Sequence, residues 1–156
     1  MKKDEAIQVL IEYVRANEAG LYRIAYSYVK DEETALDMVQ DAIEKAIKKI
    51  HTLKYKEYVK TWFYRILVNR CMDNLKRKSV RQEICLEDYL INEEDKEYID
   101  IYRSIDKLKP KFRTVIVLRY FENMKLGEIA QITDTNVSTV KTRLYKALKD
   151  LKTELM

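Results

Sequence analysis

Glycine and proline are scarce in this sequence, whose 156 residues contain two Gly and one Pro. Sheet-rich folds need many tight turns, and these two residues supply much of the backbone geometry that such turns require. Apolar side chains also recur at helical spacing along most of the chain, for example at Ala35, Met38, Val39 and Ala42. The sequence therefore predicts an all-α protein.

Apolar spacing and capping residues divide the chain into segments. Asp31 is a candidate N-cap of the second helix, with Thr34 as the alternative, and Pro110 suits the first turn of a later helix. Between them, the stretch 79–100 loses the apolar periodicity and gathers acidic residues, which is typical of a linker. The predicted helices span residues 5–29 (with Gly20 loosening the middle), 31–50, 59–77, 111–121, 126–132 and 138–155, and a further helix is expected to begin within 98–105.

The net charge of +4 is unevenly distributed along the chain. Residues 1–53 carry −2, 54–78 carry +6, 79–100 carry −6 and 101–156 carry +6. Clusters of basic residues attract the phosphate backbone of nucleic acids. The alternative interpretation is that they are ordinary solvent-exposed surfaces, as most clusters of like charge are. Two basic blocks separated by an acidic one favour a protein that binds nucleic acid at two places.

Several functional classes find no support in the residues. No apolar run approaches the ~20 residues that cross a bilayer, and the start of the chain lacks a secretion signal. Cys71 and Cys85 have neither metal-ligand spacing nor a disulfide framework, His51 is the single histidine, and no Gly-rich phosphate loop is present. We expect a cytoplasmic protein that is not an enzyme, with no catalytic residue, metal, cofactor or small-molecule substrate.

The segment 126–144 has the spacing of a helix-turn-helix. A short apolar helix ends at Ile132, and a polar turn follows it. We expect Val137 to plug into the core and Ser138 to cap the second helix. The predicted buried stripe of that helix consists of Val140, Leu144, Ala147, Leu148 and Leu151.

Basic and hydrogen-bonding side chains share another face of this second helix, near its N-terminus. Major-groove reading needs such side chains at such a place, whereas an ordinary solvated face is the alternative interpretation. The helix-turn-helix spacing and the positive block together favour DNA binding. The candidate DNA-binding residues are Ser138, Thr139, Lys141, Thr142, Arg143, Tyr145 and Lys146.

The C-terminal motifs also carry a family resemblance. Residues 108–122, followed by Glu128-Ile-Ala130 and by 137–144, resemble region 4 of the extracytoplasmic-function sigma factors. In that family region 4 reads the −35 promoter element and docks on the polymerase flap, so the resemblance implies that the seven residues above contact −35 DNA. The turn departs from the family pattern: Asp134 and Ser138 stand where Gly is usual, and Thr133 replaces a bulky apolar residue.

A second resemblance lies in the N-terminal half. The stretch Asp37-Met-Val-Gln-Asp-Ala-Ile-Glu-Lys-Ala46 resembles region 2.2 of the same family, which holds the polymerase clamp helices. Without that resemblance, a solvated face on a core helix is the better interpretation. The resemblance implies that core RNA polymerase is bound by Asp37, Gln40, Asp41 and Lys45.

Residues 61–78 resemble regions 2.3 and 2.4, which read and open the −10 element, and 53–58 matches the loop that captures an everted base. Promoter opening requires donors for phosphates and a surface for unpaired bases, and this basic segment can supply both. Trp62 and Tyr64 are expected to pack in the core. The implied −10 contacts are Lys54, Tyr55, Lys56, Arg65, Asn69, Asn74, Lys76 and Arg77.

The order of the motifs predicts two small helical domains: a region 2 domain over 1–78 and a region 4 helix-turn-helix domain over 101–156, joined by a flexible acidic linker over 79–100. The resemblance implies an alternative sigma factor that binds core RNA polymerase and promoter DNA in a regulated stress response. It also implies an anti-sigma factor, membrane-bound in many cases, that holds the chain at the inner face of the membrane. A helix-turn-helix regulator with a dimerising or ligand-sensing N-terminal half is the alternative, but it leaves 54–78 unexplained; an enzyme with a DNA-binding tail fits least.

Overall fold

The computed structural model of the protein describes residues 1–81 and 104–155. Within these two ranges every regular element is helical, so the all-α expectation is confirmed. The predicted linker, 79–100, lies outside the described residues apart from the first three positions.

The N-terminal range forms a helical bundle. Its helices follow one another closely, and short 3₁₀ turns connect the third helix to the fourth. The elements are α1 (Lys3–Ala16), α2 (Glu18–Val29), α3 (Glu32–Lys48), the 3₁₀ turns Ile50–Thr52 and Lys56–Tyr58, and α4 (Val59–Arg81).

The predicted single helix over 5–29 is wrong. The chain breaks at Asn17, which has φ −126° and ψ 20° and whose side-chain amide donates to the backbone oxygen of Tyr13 at 2.8 Å. Asparagine favours such local bonds over helix continuation, which accounts for the break. Gly20, expected to loosen the helix, instead lies inside α2.

The corner between α2 and α3 follows the expected capping chemistry. Lys30 ends α2 in the left-handed conformation, with φ 58°. The Asp31 side chain then accepts from the backbone N–H of Thr34 at 2.9 Å, so its prediction as N-cap of α3 is confirmed.

The core of this half lies between α2, α3 and α4. Phe63, Leu67 and Cys71 are completely buried on α4, and Tyr64 is nearly so, as predicted. Burying a side chain the size of Phe63 stabilises the fold by about 1.5–3 kcal/mol. Trp62 is only half-buried: it packs against the core while its indole N–H donates to Thr52 Oγ1 at 2.9 Å. This bond ties the 3₁₀ turn to the start of α4.

Cys71 is expected to be chemically inert in the folded protein. Burial raises the pKa of its thiol to about 12, against a smaller lowering by Arg70, and the thiolate is the reactive form. At pH 8 the peptide that contains Cys71 should therefore resist iodoacetamide in the native protein and react fully after denaturation. Peptide mass mapping before and after unfolding measures this, and fast native alkylation at Cys71 would contradict the buried position.

The C-terminal range contains the second set of helices. Pro110 is the first residue of a helix, as predicted, but the expected helix over 111–121 changes its winding after Ile116. The elements are α5 (Pro110–Ile116), a π-helical turn (Val117–Phe121), α6 (Leu126–Thr133) and α7 (Val137–Leu155).

The two halves pack along a surface that we call the seam, formed by α2 and α4 on one side and by α6 and the π-helical turn on the other. Arg113, which is 6% exposed, donates to the backbone oxygen of Ser27 at 2.9 Å, and the hydroxyls of Tyr28 and Thr114 are hydrogen-bonded. Four of the five ion pairs between described residues cross the seam: Arg23–Glu122, Lys30–Asp106, Lys60–Glu128 and Arg65–Asp134.

Candidate nucleic-acid interface

The outer face of α7 carries the predicted −35 residues except Arg143, which is half-buried and lies toward α4. Lys141, Thr142, Tyr145 and Lys146 are exposed together, and Tyr145 is 71% exposed. Ser138 is exposed and Thr139 half-exposed in the first turn of the helix. This face presents cationic, hydroxyl and aromatic groups of the kind that read base edges in the major groove.

Three expectations about α7 are wrong. The helix begins one residue earlier than predicted, so Asn136 caps it: its Oδ1 accepts from the backbone N–H of Thr139 at 2.8 Å, and Ser138 is no cap. Because of the same shift, Val137 lies at the surface with 39% exposure instead of plugging the core. Leu148 is 37% exposed and lies at the edge of the buried stripe.

The turn between α6 and α7 keeps a regular conformation although Thr133 and Asp134 differ from the family pattern. Asp134 adopts the left-handed conformation, φ 55° and ψ 46°, which Asp accepts more readily than most residues other than Gly. Thr133 donates its hydroxyl to the backbone oxygen of Ile129 at 2.8 Å and pairs with the Thr135 hydroxyl at 2.9 Å. The turn thus keeps a left-handed helix end and satisfied polar groups.

A further cation extends the basic face of α7. Lys111 and Lys146 each place their ammonium group 5.2 Å from the centre of the Phe112 ring, a cation–π distance. Lys111 lies at the start of α5 and is exposed. Lys111 was not among the predicted contacts, because it lies outside the helix-turn-helix segment.

The predicted −10 residues fall into three groups. Arg65, Asn69 and Lys76 share one face of α4, because their spacing of four and seven residues returns to the same side of a helix. Asn74 lies on the opposite side, half-buried, and its Oδ1 has no hydrogen-bond partner among the described residues. Arg77 is exposed between these two sides.

The connection before α4 forms the third group. Lys54, Tyr55 and Lys56 are exposed, as a base-capturing loop requires. The rings of Tyr55 and Tyr58 meet edge to face at 5.9 Å and are 62% and 57% exposed. Tyr58 was not among the predicted contacts, and it doubles the aromatic surface of this connection.

The seam covers part of the α4 face. The Arg65 guanidinium lies 3.4 Å from the Asp134 carboxylate in the turn of the helix-turn-helix. Beyond this pair, basic residues of both halves surround a cleft of about 440 Å³. Its polar lining residues are Lys45, Asn69, Asp73, Lys76, Lys111, Thr114, Thr133 and Arg143.

The predicted polymerase-binding residues on α3 differ in their surroundings. Asp37 and Gln40 are exposed, whereas Lys45 is half-buried at the cleft. Asp41 accepts from Nε and a terminal nitrogen of Arg70, at 3.2 and 2.9 Å, and so joins α3 to α4.

Two exposed apolar side chains stand beside Gln40 on the outer surface of α3. Leu36 is 56% exposed and Ile47 is 43% exposed. Neither was predicted from the sequence, because apolar periodicity alone does not separate a buried stripe from a neighbouring exposed one. Apolar groups amid charged ones are typical of a surface that binds another protein.

Residues 1–81 and 104–155 contain no cluster of His, Cys, Asp and Glu that could hold a metal ion. No helix in this described part is long and apolar enough to cross a membrane.

Family models match both halves of the chain. Residues 13–81 match sigma-70 region 2, and residues 98–151 match sigma-70 region 4. Together with the helix-turn-helix and the helical bundle, these matches define a protein built from the two sigma-70 regions.

Similar proteins show which group of sigma factors the chain resembles. The chain is 39% identical to the RNA polymerase sigma factor SigV of Bacillus subtilis (strain 168), over 99% of this chain and 95% of that protein. It is 28% identical to the extracytoplasmic-function (ECF) sigma factor SigW of the same organism, over 86% and 82% of the two chains. The protein belongs to the extracytoplasmic-function RNA polymerase sigma factors, which confirms the predicted family.

Two solved structures share the fold. The structure of CnrH in complex with the cytosolic domain of CnrY matches with a TM-score of 0.74 at 22% identity, over 98% of this chain and 94% of that one. The sigma factor RpoE of Bartonella quintana, in complex with the anti-sigma factor NepR, matches with a TM-score of 0.70 at 21% identity, over 98% and 95%.

Proposed function

We propose that the protein directs core RNA polymerase to specific promoters, using residues 1–78 for polymerase binding and the −10 element and residues 101–156 for the −35 element. The observation that carries the proposal is that one chain with sigma-factor relatives bears two basic faces, on α4 and on α7. Residues 79–100 then serve as the linker that sets their separation. Such a factor works in the cytoplasm, where core polymerase is found.

Run-off transcription tests the proposal directly. Core polymerase with and without the purified chain is given a library of random promoter sequences, and the transcripts are sequenced. We expect transcripts that depend on the chain and share two spaced motifs. A helix-turn-helix regulator, the competing function, would bind duplex DNA and leave initiation unchanged.

Lys141→Ala is expected to relax sequence preference at one −35 position. Lys141 is exposed on the outer face of α7, and a base contact discriminates by ~1–3 kcal/mol per base pair. Sequencing of DNA selected by the wild type and by the variant measures the change. Lys152→Ala, an exposed lysine at the far end of α7, is the matched control. Equal loss on every DNA sequence would instead make Lys141 a phosphate contact.

We also propose control by an anti-sigma factor during a stress response. The support is that one structural neighbour was solved with the anti-sigma factor NepR, and the other with the cytosolic domain of a second protein, CnrY. If that inhibitor spans the membrane, it holds this chain at the inner face. Co-purification of the chain with the product of the neighbouring gene tests this, and failure of every neighbouring product to bind would refute it.

A further inference from the structure

The cleft of about 440 Å³ between the two halves, which we call the basic cleft, collects cations from four different helices. Lys45 comes from α3, Lys76 from α4, Lys111 from α5 and Arg143 from α7. Among the described lining residues, Asp73 alone is acidic. Cations that share one concave space repel one another, so a bound anion would lower the electrostatic energy of the cleft.

Most of these cations are not neutralised within the described part of the chain. Lys45, Lys111 and Arg143 form no ion pair with a described residue. The ion pairs within 1–81 and 104–155 instead use other cations, namely Arg23, Lys30, Lys60, Arg65 and Arg70. Arg143 is also half-buried, and a partly buried charge is screened by salt less than a fully exposed one. The basic cleft therefore attracts an anion more strongly than scattered surface lysines would.

A second cavity, of about 370 Å³, lies beside the basic cleft and shares Lys111 and Arg143 with it. It adds one more cation and two hydroxyl groups, from Lys146, Ser138 and Thr139. The Phe112 ring supports the Lys111 ammonium group at 5.2 Å from its centre, a cation–π distance. Because Lys111 and Arg143 lie between the two spaces, an anion longer than one phosphate can contact both.

The dimensions and the chemistry of the cleft favour a small phosphorylated ligand. Sites for small molecules measure ~300–1,000 Å³, a range that includes both cavities. Lysine and arginine side chains form charge-assisted hydrogen bonds to phosphate oxygens, and several linked phosphates match several converging cations. On the α4 side, Val68 and Met72 add an apolar floor. The outer face of α7, by contrast, is open to a long duplex.

We propose that the basic cleft binds a free oligophosphate, an anion with two or more linked phosphate groups, between Lys76 on α4 and the pair Lys111 and Arg143. The phosphate chain comes either from an inorganic oligophosphate or from a nucleotide, whose nucleoside would lie on Val68 and Met72. The site stands on the geometry of the chain and does not depend on the function proposed above.

Isothermal titration calorimetry of the full chain tests the site, with inorganic tripolyphosphate as the ligand. The titration is run at about 0.15 M ionic strength, where attraction between exposed charges is largely screened. We expect saturable binding of a single tripolyphosphate per chain. Orthophosphate has fewer charged oxygens and should bind at least about tenfold more weakly. Absence of tripolyphosphate binding, or equal affinity for orthophosphate, would overturn the proposal.

Lys76→Ala and Lys111→Ala each remove one cation from a different half of the chain. Both side chains are exposed, so the fold should be kept, and circular dichroism checks this. Each change should weaken tripolyphosphate binding by about tenfold or more, because a hydrogen bond to a charged group is lost. Lys152→Ala removes the same charge at the far end of α7 and should bind like the wild type. Equal weakening by Lys152→Ala would reduce the effect to net charge and refute the site.

Two further ligands identify the occupant. ATP that binds more tightly than tripolyphosphate, with the difference lost in Met72→Ala, would support the proposal and assign the cleft to a nucleotide. ATP that binds no more tightly than tripolyphosphate would support the inorganic oligophosphate. A short single-stranded DNA is the competing occupant. If Lys76→Ala and Lys111→Ala weaken binding of that DNA while the wild type does not bind tripolyphosphate, the cleft is a nucleic-acid surface and the oligophosphate site is refuted.

Discussion

The Asp37→Lys variant is expected to lose most of its affinity for core RNA polymerase while keeping its fold. Asp37 is exposed on α3 and forms no ion pair among the described residues, so nothing in the bundle depends on its charge. At an interface, the new lysine would replace an attraction by like-charge repulsion, which costs several kcal/mol. The expected loss is at least about tenfold in the dissociation constant.

Titration of labelled chain with core polymerase measures this loss, and thermal melting checks the fold. Glu12→Lys on α1, an exposed acid on another helix, is the matched control. Gln40→Ala, Leu36→Ala and Ile47→Ala probe the same surface without changing its charge. Unchanged binding by both Asp37→Lys and Gln40→Ala would remove α3 from the polymerase interface.

Charge reversal at Asp41 tests the contact between α3 and α4 as well as polymerase binding. Because Asp41 accepts two hydrogen bonds from Arg70, a lysine there would place two cations between α3 and α4. One terminal nitrogen of Arg70 is already buried without a partner among the described residues. We therefore expect Asp41→Lys to lower the melting temperature together with polymerase binding, so it cannot isolate the interface.

Asn69→Ala and substitution of the 54–56 loop are expected to impair promoter opening far more than duplex binding. Unpairing a base costs a few kcal/mol, and this cost is recovered only when the separated strand meets its binding surface. Tyr55 and Tyr58 present exposed rings at this place, and stacking contributes ~1–3 kcal/mol per base. A factor of ten corresponds to about 1.4 kcal/mol. Loss of that stacking surface should therefore reduce the amount of open complex by tenfold or more.

Two assays separate the steps of this second prediction. Permanganate footprinting reports unpaired thymines in the complex with polymerase, and a gel shift on duplex promoter reports closed binding. Tyr120→Ala removes another exposed tyrosine, 53% exposed, at the end of the π-helical turn and serves as the control. Normal footprints in variants that lack Asn69 and the Lys and Tyr side chains of the loop would place strand opening elsewhere.

Local chemistry made much of the fold predictable. Asp31 and Pro110 act within a few residues of themselves, so the helix starts that they mark were readable from sequence. The break at Asn17 was not, because the apolar pattern continues across it. Asn136 and Ser138 are both good caps two residues apart, and only the packing of α7 selects between them.

The candidate site also has a part that could be predicted from the sequence and a part that could not. Residue types and spacing predicted the exposed faces of α4 and α7. The contact of Gly20 with Glu122 joins positions about a hundred residues apart in sequence, and the pairing of Arg65 with Asp134 depends on how the halves meet. No periodicity encodes such contacts, although a glycine inside an otherwise regular helix was a visible sign of close approach.

The four ion pairs across the seam should also make the packing of the two halves depend on ionic strength. Several of their members are well exposed, such as Asp134 at 81%, and exposed pairs contribute only about 0–1 kcal/mol and weaken as salt screens them. Added salt therefore weakens the contacts across the seam at the same time as it weakens contacts to DNA phosphates.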